Sequence, residues 1–251
     1  VIAGLHCHAV HVGWFPLPRA NLAMMRKEKK VRRQKRPPPV AHPGEGYTPR
    51  NRTQEAALDT IRRNSITFIL GPAGTGKTHL ASGYAVQQLL AGTVEHIVIT
   101  RPSVATEQLG YLPGSAEEKV GPYLVPFFDA IERIAGKRGH TKDRERVGAA
   151  VKIAPLAYLR GRTFRNSIMI FDEAQNATFS QLKLFLTRIG DGSKVIVTGD
   201  ADQSDLPRSE RRLIDVMQRL AAIKGVGVVE FKATDIVRHP IIENVLKELE
   251  R

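Results

Sequence analysis

The 251-residue sequence has one cysteine, Cys7, and one tryptophan, Trp14. A lone thiol cannot close an internal disulfide, so a disulfide scaffold is excluded and a reducing, cytoplasmic setting is expected. No apolar run approaches the roughly 20 residues that span a bilayer, so no membrane partner is expected. Acidic side chains are the minority, 25 against 38 basic ones, for a formal charge of +13. Hydrophobic residues at 42% and charged residues at 25% exclude a chain that is disordered throughout. An excess of positive charge points to an anionic partner only where it is clustered.

The charge is clustered. Arg26, Lys27, Lys29, Lys30, Arg32, Arg33, Lys35 and Arg36 fall within eleven residues and only Glu28 opposes them, a net of +7. Pro37, Pro38 and Pro39 follow, then Pro43, Gly44 and Gly46. A charged block followed by prolines cannot bury a core, so residues 1–47 read as an N-terminal extension and flexible arm. Two readings fit the arm: a nucleic-acid-binding tail that neutralises phosphates, or a solubilising tail. Asn51 to Arg251 holds 28 basic and 23 acidic residues, a balance of only +5. Upstream, His6, Cys7, His8 and His11 are zinc-ligand types, but they lie within six residues with no loop to arrange them around one ion. Residues 1–23 therefore read as upstream sequence, with Met24 or Met25 as the natural start. No basic region precedes an apolar stretch, as a signal peptide requires.

Residues 48–251 read as one domain. The periodicity predicts a helix over Gln54–Arg63 with Ala57, Leu58 and Ile61 on its inner face, and another over Lys77–Ala91. Strands are predicted at Ser65–Leu70, His96–Thr100, Ser167–Phe171, Lys194–Thr198 and Val226–Phe231. Further helices are predicted over Ser115–Ile134, Thr178–Arg188 (opened by a Thr178/Gln181 capping box), Ser209–Ile223 and Ile241–Leu249. Lys137–Arg146 reads as a polar loop or lid. Short, continuously apolar strands alternating with amphipathic helices imply an α/β fold, a parallel sheet covered on both faces.

Gly71, Pro72, Ala73, Gly74, Thr75, Gly76, Lys77 and Thr78 fit G-x-x-x-x-G-K-[ST] in full, between a buried strand and a helix. Glycines let the backbone curl so that its N–H groups face phosphates, and the helix N-terminus adds partial positive charge. Lys77 is suited to the β- and γ-phosphates and Thr78 to a Mg²⁺ ion. The third strand ends in Asp172-Glu173. A carboxylate there is costly unless it is paired or binds metal. Asp172 is suited to hold Mg²⁺, and Glu173 to polarise an attacking water. After the fourth strand come Thr198-Gly199-Asp200 and Gln203, the candidate sensor of the γ-phosphate. No Asn-Lys-x-Asp guanine-reading pattern occurs, which favours ATP, and Gln54 is the candidate for the adenine edge.

With these residues in hand, the chain resembles the PhoH-like family of P-loop ATPases. The likeness extends to Arg101-Pro102, to Leu109 through Gly114 with Glu118-Lys119, and to Ile153 through Thr163. It continues through Asp172 to Asn176, Phe185 to Gly190, and Val237-Arg238-His239-Pro240. The resemblance implies a RecA-like domain, similar to the first motor domain of superfamily-one helicases. It also implies ATP hydrolysis and work on single-stranded RNA or DNA. A lone motor domain lacks the arginine that a second one supplies, so a homo-oligomeric ring is expected, with Arg238, or failing that Arg188, acting in trans. Any nuclease activity would need a separate partner. Arg101, Arg160 and Arg162 are candidate nucleic-acid contacts, with the nucleotide as the other candidate partner of Arg160 and Arg162. Tyr158 has two readings, a ring that stacks a base and a buried aromatic, and burial is the expected one. An ATP-gated assembly protein and a small-molecule kinase are the other function classes. The Asp172-Glu173 pair and the Arg160 to Thr163 element count against the kinase.

Overall fold

The computed structural model describes residues 47–102, 129 and 141–237. The expectations for the arm, for His6 to His11, for the helices at 115–134 and 241–249, and for Arg238 lie outside the described residues.

The chain runs α1 (Arg52–Arg63), β1 (Ile66–Leu70), α2 (Lys77–Leu90), β2 (His96–Thr100), α3 (Thr141–Ala150), β3 (Val151–Ile153), β4 (Ser167–Phe171), α4 (Phe179–Leu186), β5 (Lys194–Gly199), α5 (Leu213–Leu220) and β6 (Val226–Glu230). The six strands form one sheet in the order β3-β2-β4-β5-β1-β6, and every pairing is parallel. After β1 the chain crosses to the β2 side, while β6 lies on β1's other flank. Such a reversal opens a crevice at the carboxyl ends of the strands, where ligands bind in open α/β sheets.

Alternate side chains of each inner strand enter different cores. Ile168 and Ile170 of β4 pack with Ile69, Ile97 and Ile196 under α1, α2 and α3. Met169 and Phe171 pack with Phe68, Val98 and Val197 under α4 and α5. Burial on both faces is why these strands read as unbroken apolar runs rather than alternating ones.

The caps are local chemistry. Asn51 Oδ1 accepts from Gln54 N (2.8 Å) at the start of α1. At its other end, Lys194 Nζ donates to the carbonyls of Ile61, Arg62 and Asn64 at 2.9, 3.0 and 2.7 Å. These are orphan acceptors of a helix C-terminus, and the cation also suits the dipole. Burial lowers the pKa of that lysine. The capping box of α4 is present, with Thr178 and Gln181 exchanging both bonds.

Three expectations change. Lys137–Arg146 is not a loop throughout, because α3 begins at Thr141. Only Val147 and Ala150 of α3 are buried among its described side chains, so a polar surface hid the helix. Arg146 also donates to the carbonyl of Leu90, the last residue of α2 (3.2 Å). The strand count rises to six because β3, three residues long, pairs with the edge of β2. The helix expected over Ser209–Ile223 is shorter: a 3-10 turn occupies Arg208–Glu210 and α5 starts at Leu213.

Candidate functional site: a phosphate-binding loop with a braced carboxylate

The loop between β1 and α2 is held from three sides. Gly71 N–H donates to the Gly199 carbonyl (3.1 Å), and Phe231 N–H to the Leu70 carbonyl (2.7 Å). Gly71 has φ +140°, and a Cβ there would run into the Phe231 carbonyl. Gly76 has φ +85°, and its Cβ would sit 2.9 Å from Gln54 Nε2. Both positions therefore require glycine. Thr75 folds back, its hydroxyl donating to the Pro72 carbonyl (2.9 Å).

Gln54 braces the loop from behind. It is 1% exposed, and its Nε2 donates to the Thr75 carbonyl (3.0 Å). Its Oε1 accepts from Arg50 N (2.8 Å) and from the Tyr47 hydroxyl (3.3 Å). These contacts give the side chain a structural duty that the adenine reading did not contain. The Tyr47 ring lies 5.6 Å from that of His79, which lines the cleft.

Lys77 Nζ donates to the carbonyls of Gly71 (2.5 Å) and Pro72 (2.8 Å). Burial lowers its pKa from 10.5, while the charges of Asp200, Glu173 and Asp172 pull it back up. Thr78 Oγ1 donates to Asp172 Oδ1 (2.8 Å), as does Thr198 Oγ1 (2.5 Å). A hydroxyl and a carboxylate thus stand side by side, the hard oxygen donors that Mg²⁺ takes. The residue types and their spacing fit that ion.

Glu173 follows directly. Its backbone is left-handed, φ 54° and ψ 41°, an uncommon state for a residue with a side chain. Its Oε1 lies 3.0 Å from Arg101 Nη2, and its Oε2 accepts from Gln175 Nε2 (2.7 Å). Gln175, 5% exposed, also accepts from Asp200 N through Oε1 (2.9 Å). It therefore ties the end of β4 to the end of β5. In the sequence Gln175 stands out only as a member of the Asp172–Asn176 segment. An amide two residues after an acidic pair is common, and its burial and its bonds to Glu173 and Asp200 arise only in the folded chain. Around this site lies a cleft of about 350 Å³, lined by Ala73, Gly74, Lys77, Thr78, Asp172 and Glu173 among others. That volume falls within the roughly 300–1,000 Å³ of small-molecule sites.

The remaining candidates are dispersed. Gln203 is exposed, its N–H on the Asp200 carbonyl (3.3 Å), and it is not among the described residues lining the cleft. Arg160 and Arg162 flank the tip of a turn, with Arg160 exposed and Arg162 half-buried. Tyr158 is 56% exposed, not buried. It sits in the 3-10 turn Leu156–Leu159, whose eclipsed leucines face the core and turn the tyrosine outward. Arg188 Nη1 donates to the Arg162 carbonyl (3.3 Å), pinning that turn. Val237 N–H donates to the Gly74 carbonyl (3.1 Å), so the chain reaches the loop of its own subunit one residue before Arg238.

A parallel sheet with a glycine loop after β1, and an Asp-Glu pair after a strand separated from β1 by one other, defines a RecA-like P-loop NTPase domain. The large terminase of a thermophilic bacteriophage, solved in complex with ADP, shares that fold, with a TM-score of 0.54 at 12% identity over 79% of this chain and 49% of the terminase. The PhoH-like protein family model matches residues 47–250, and the chain belongs to that family. A PhoH-like protein of Bacillus subtilis is 44% identical over 200 residues, 79% of this chain and 62% of that relative. Protein PhoH of Escherichia coli K12 is 41% identical over 200 residues, 78% and 56% of the two chains. The chain thus spans about three fifths of the length of these relatives. Among the described residues no helix is long and apolar enough to cross a membrane.

Proposed function

We propose that this chain binds ATP with Mg²⁺, hydrolyses it, and couples the cycle to binding, remodelling or moving along single-stranded RNA or DNA. The observation that carries the reading is the convergence of Lys77, the Thr78–Asp172 pair (2.8 Å) and Glu173 on one cleft. Backbone N–H groups from Gly74 to Thr78 receive the phosphates, and the Lys77 ammonium offsets their charge. Thr78 and Asp172 hold the metal, which when bound neutralises charge on the phosphate oxygens. The Glu173 carboxylate accepts the proton of the attacking water.

The nucleic-acid half of the reading draws support from the +7 arm and from the exposed Tyr158 and Arg160. The ring belongs to the same proposal, with Arg238 completing a neighbour's site. The test is ATP turnover of the wild type and Lys77→Ala with and without poly(U). Stimulation by poly(U) that is lost in Lys77→Ala supports the motor. Nucleotide-dependent assembly without turnover replaces it with an assembly switch, and turnover that needs a small-molecule acceptor replaces it with a kinase.

A further inference from the structure

We infer that Arg101 is a gate on Glu173. The ion pair restrains the carboxylate, and the phosphodiester backbone of a single-stranded nucleic acid frees it by competing for the guanidinium. This inference rests on the proposed hydrolysis at Glu173.

Register makes the pair. Thr100 of β2 lies opposite Phe171 of β4, so Arg101 and the Asp172-Glu173 segment leave adjacent strands together. Asp172 N–H donates to the Thr100 carbonyl (2.9 Å), which fixes that juncture. Arg101 Nη2 then reaches Glu173 Oε1 at 3.0 Å, while Gln175 occupies Oε2. Both oxygens of the carboxylate accept from protein donors, in competition with the water that a base must bind. The two donors differ in kind. Gln175 is neutral, buried and tied to Asp200, so it stays with the scaffold. Arg101 is charged and its side chain is 40% exposed, so a ligand can reach it. Ion pairs of that exposure are weak, and a guanidinium takes phosphate in bidentate fashion, so a polyanion competes on favourable terms.

Topology says where the strand would run. β3 is the outer neighbour of β2. The Thr100 hydroxyl donates to the Ala154 carbonyl (2.8 Å), and Ala154 N–H to the Ile99 carbonyl (2.9 Å). The next residues form the turn that exposes Tyr158 and Arg160. An exposed ring for a base and a cation for a phosphate thus stand on the same rim of the sheet as Arg101. A strand held there brings its next phosphates toward the gate.

The experiment compares wild type, Arg101→Ala and Arg101→Lys for ATP turnover with and without poly(U), alongside binding of a fluorescent ATP analogue. The gate predicts that Arg101→Ala raises basal turnover about two- to fivefold, the range that a half-exposed ion pair can hold back. It predicts no further rise with poly(U) and wild-type affinity for the analogue. Arg101→Lys, which keeps the charge without the planar fork, should fall between the two. Arg101→Gln carries the test should the alanine variant fail to bind the analogue. Basal turnover that falls in Arg101→Ala with binding intact would overturn the gate, because the arginine would then serve the reaction directly. Stimulation of Arg101→Ala equal to wild type would overturn it as well. A wild type without any turnover overturns the proposed hydrolysis and the gate together. A wild type that turns over beside an unchanged Arg101→Ala overturns the gate alone.

Discussion

Replacing Gln54 by leucine separates bracing of the loop from reading of the base. The side chain is 1% exposed, and its amide bonds the Thr75 carbonyl at 3.0 Å. Leucine of similar volume leaves that acceptor without its partner beside Thr75, which is fully buried. An unsatisfied buried group costs about 1–3 kcal/mol. Arg50 N–H, the other main partner, belongs to an exposed residue and can turn to water, so it adds little. For a domain of this size each kcal/mol moves the midpoint by about 2–4 °C, so Tm should fall by roughly 2–12 °C. The loop loses its rear support, so affinity should drop for ATP and GTP alike. The assay is thermal unfolding by circular dichroism together with competition of both nucleotides against a fluorescent analogue. An unchanged Tm with a loss confined to ATP would refute the bracing argument and restore Gln54 to the adenine edge.

Other changes have equally direct readouts. Gly76→Ala places a Cβ at φ +85° and 2.9 Å from Gln54 Nε2. Left-handed geometry alone costs about 1–2 kcal/mol, so Tm should fall by at least a few degrees and nucleotide affinity with it. The pKa of Asp235 is lowered from 3.8, chiefly by the Lys232 N–H and then by the Thr53 hydroxyl. Its folded state favours the carboxylate, so its contribution is full above the ordinary value and lost as pH falls through the lowered one. Wild type should therefore melt above Asp235→Asn at pH 7, and the gap should close below pH 3.8 as acid unfolding is followed. Deleting residues 26–36 removes a net charge of +7. The slope of log affinity against log salt for poly(U) should flatten by up to about 5, at roughly 0.7 per phosphate contact. RNA-stimulated turnover that survives the deletion would place the nucleic-acid site on the motor.

Where burial on both faces dictated the residues, the sequence was readable. β1, β2, β4 and β5 are apolar runs flanked by turn residues, and each was expected within a residue or two. The loop from Gly71 to Thr78 was legible because a phosphate cradle needs glycine where the chain curls. β3 was not, since three residues at an edge leave no period to detect. α3 hid behind its charged surface, with Val147 and Ala150 the buried residues among those described. Tyr158 was misjudged because hydrophobic content cannot tell which side of a 3-10 turn faces out. The sequence brought Asp172 and Glu173 forward as a pair, but not their partners. Arg101 and Gln175 reach Glu173 through the register of β2 with β4 and through a two-residue turn, and such juxtapositions emerge only on folding.

The central claim is that Glu173 is the base of an ATP-hydrolysing centre built on Lys77, Thr78 and Asp172. Single-turnover hydrolysis of ATP by Glu173→Gln, beside its equilibrium binding of the same nucleotide, tests it most directly. The account predicts wild-type binding with hydrolysis reduced about a hundredfold or more, the usual contribution of a positioned base. Hydrolysis at the wild-type rate in that variant would contradict it.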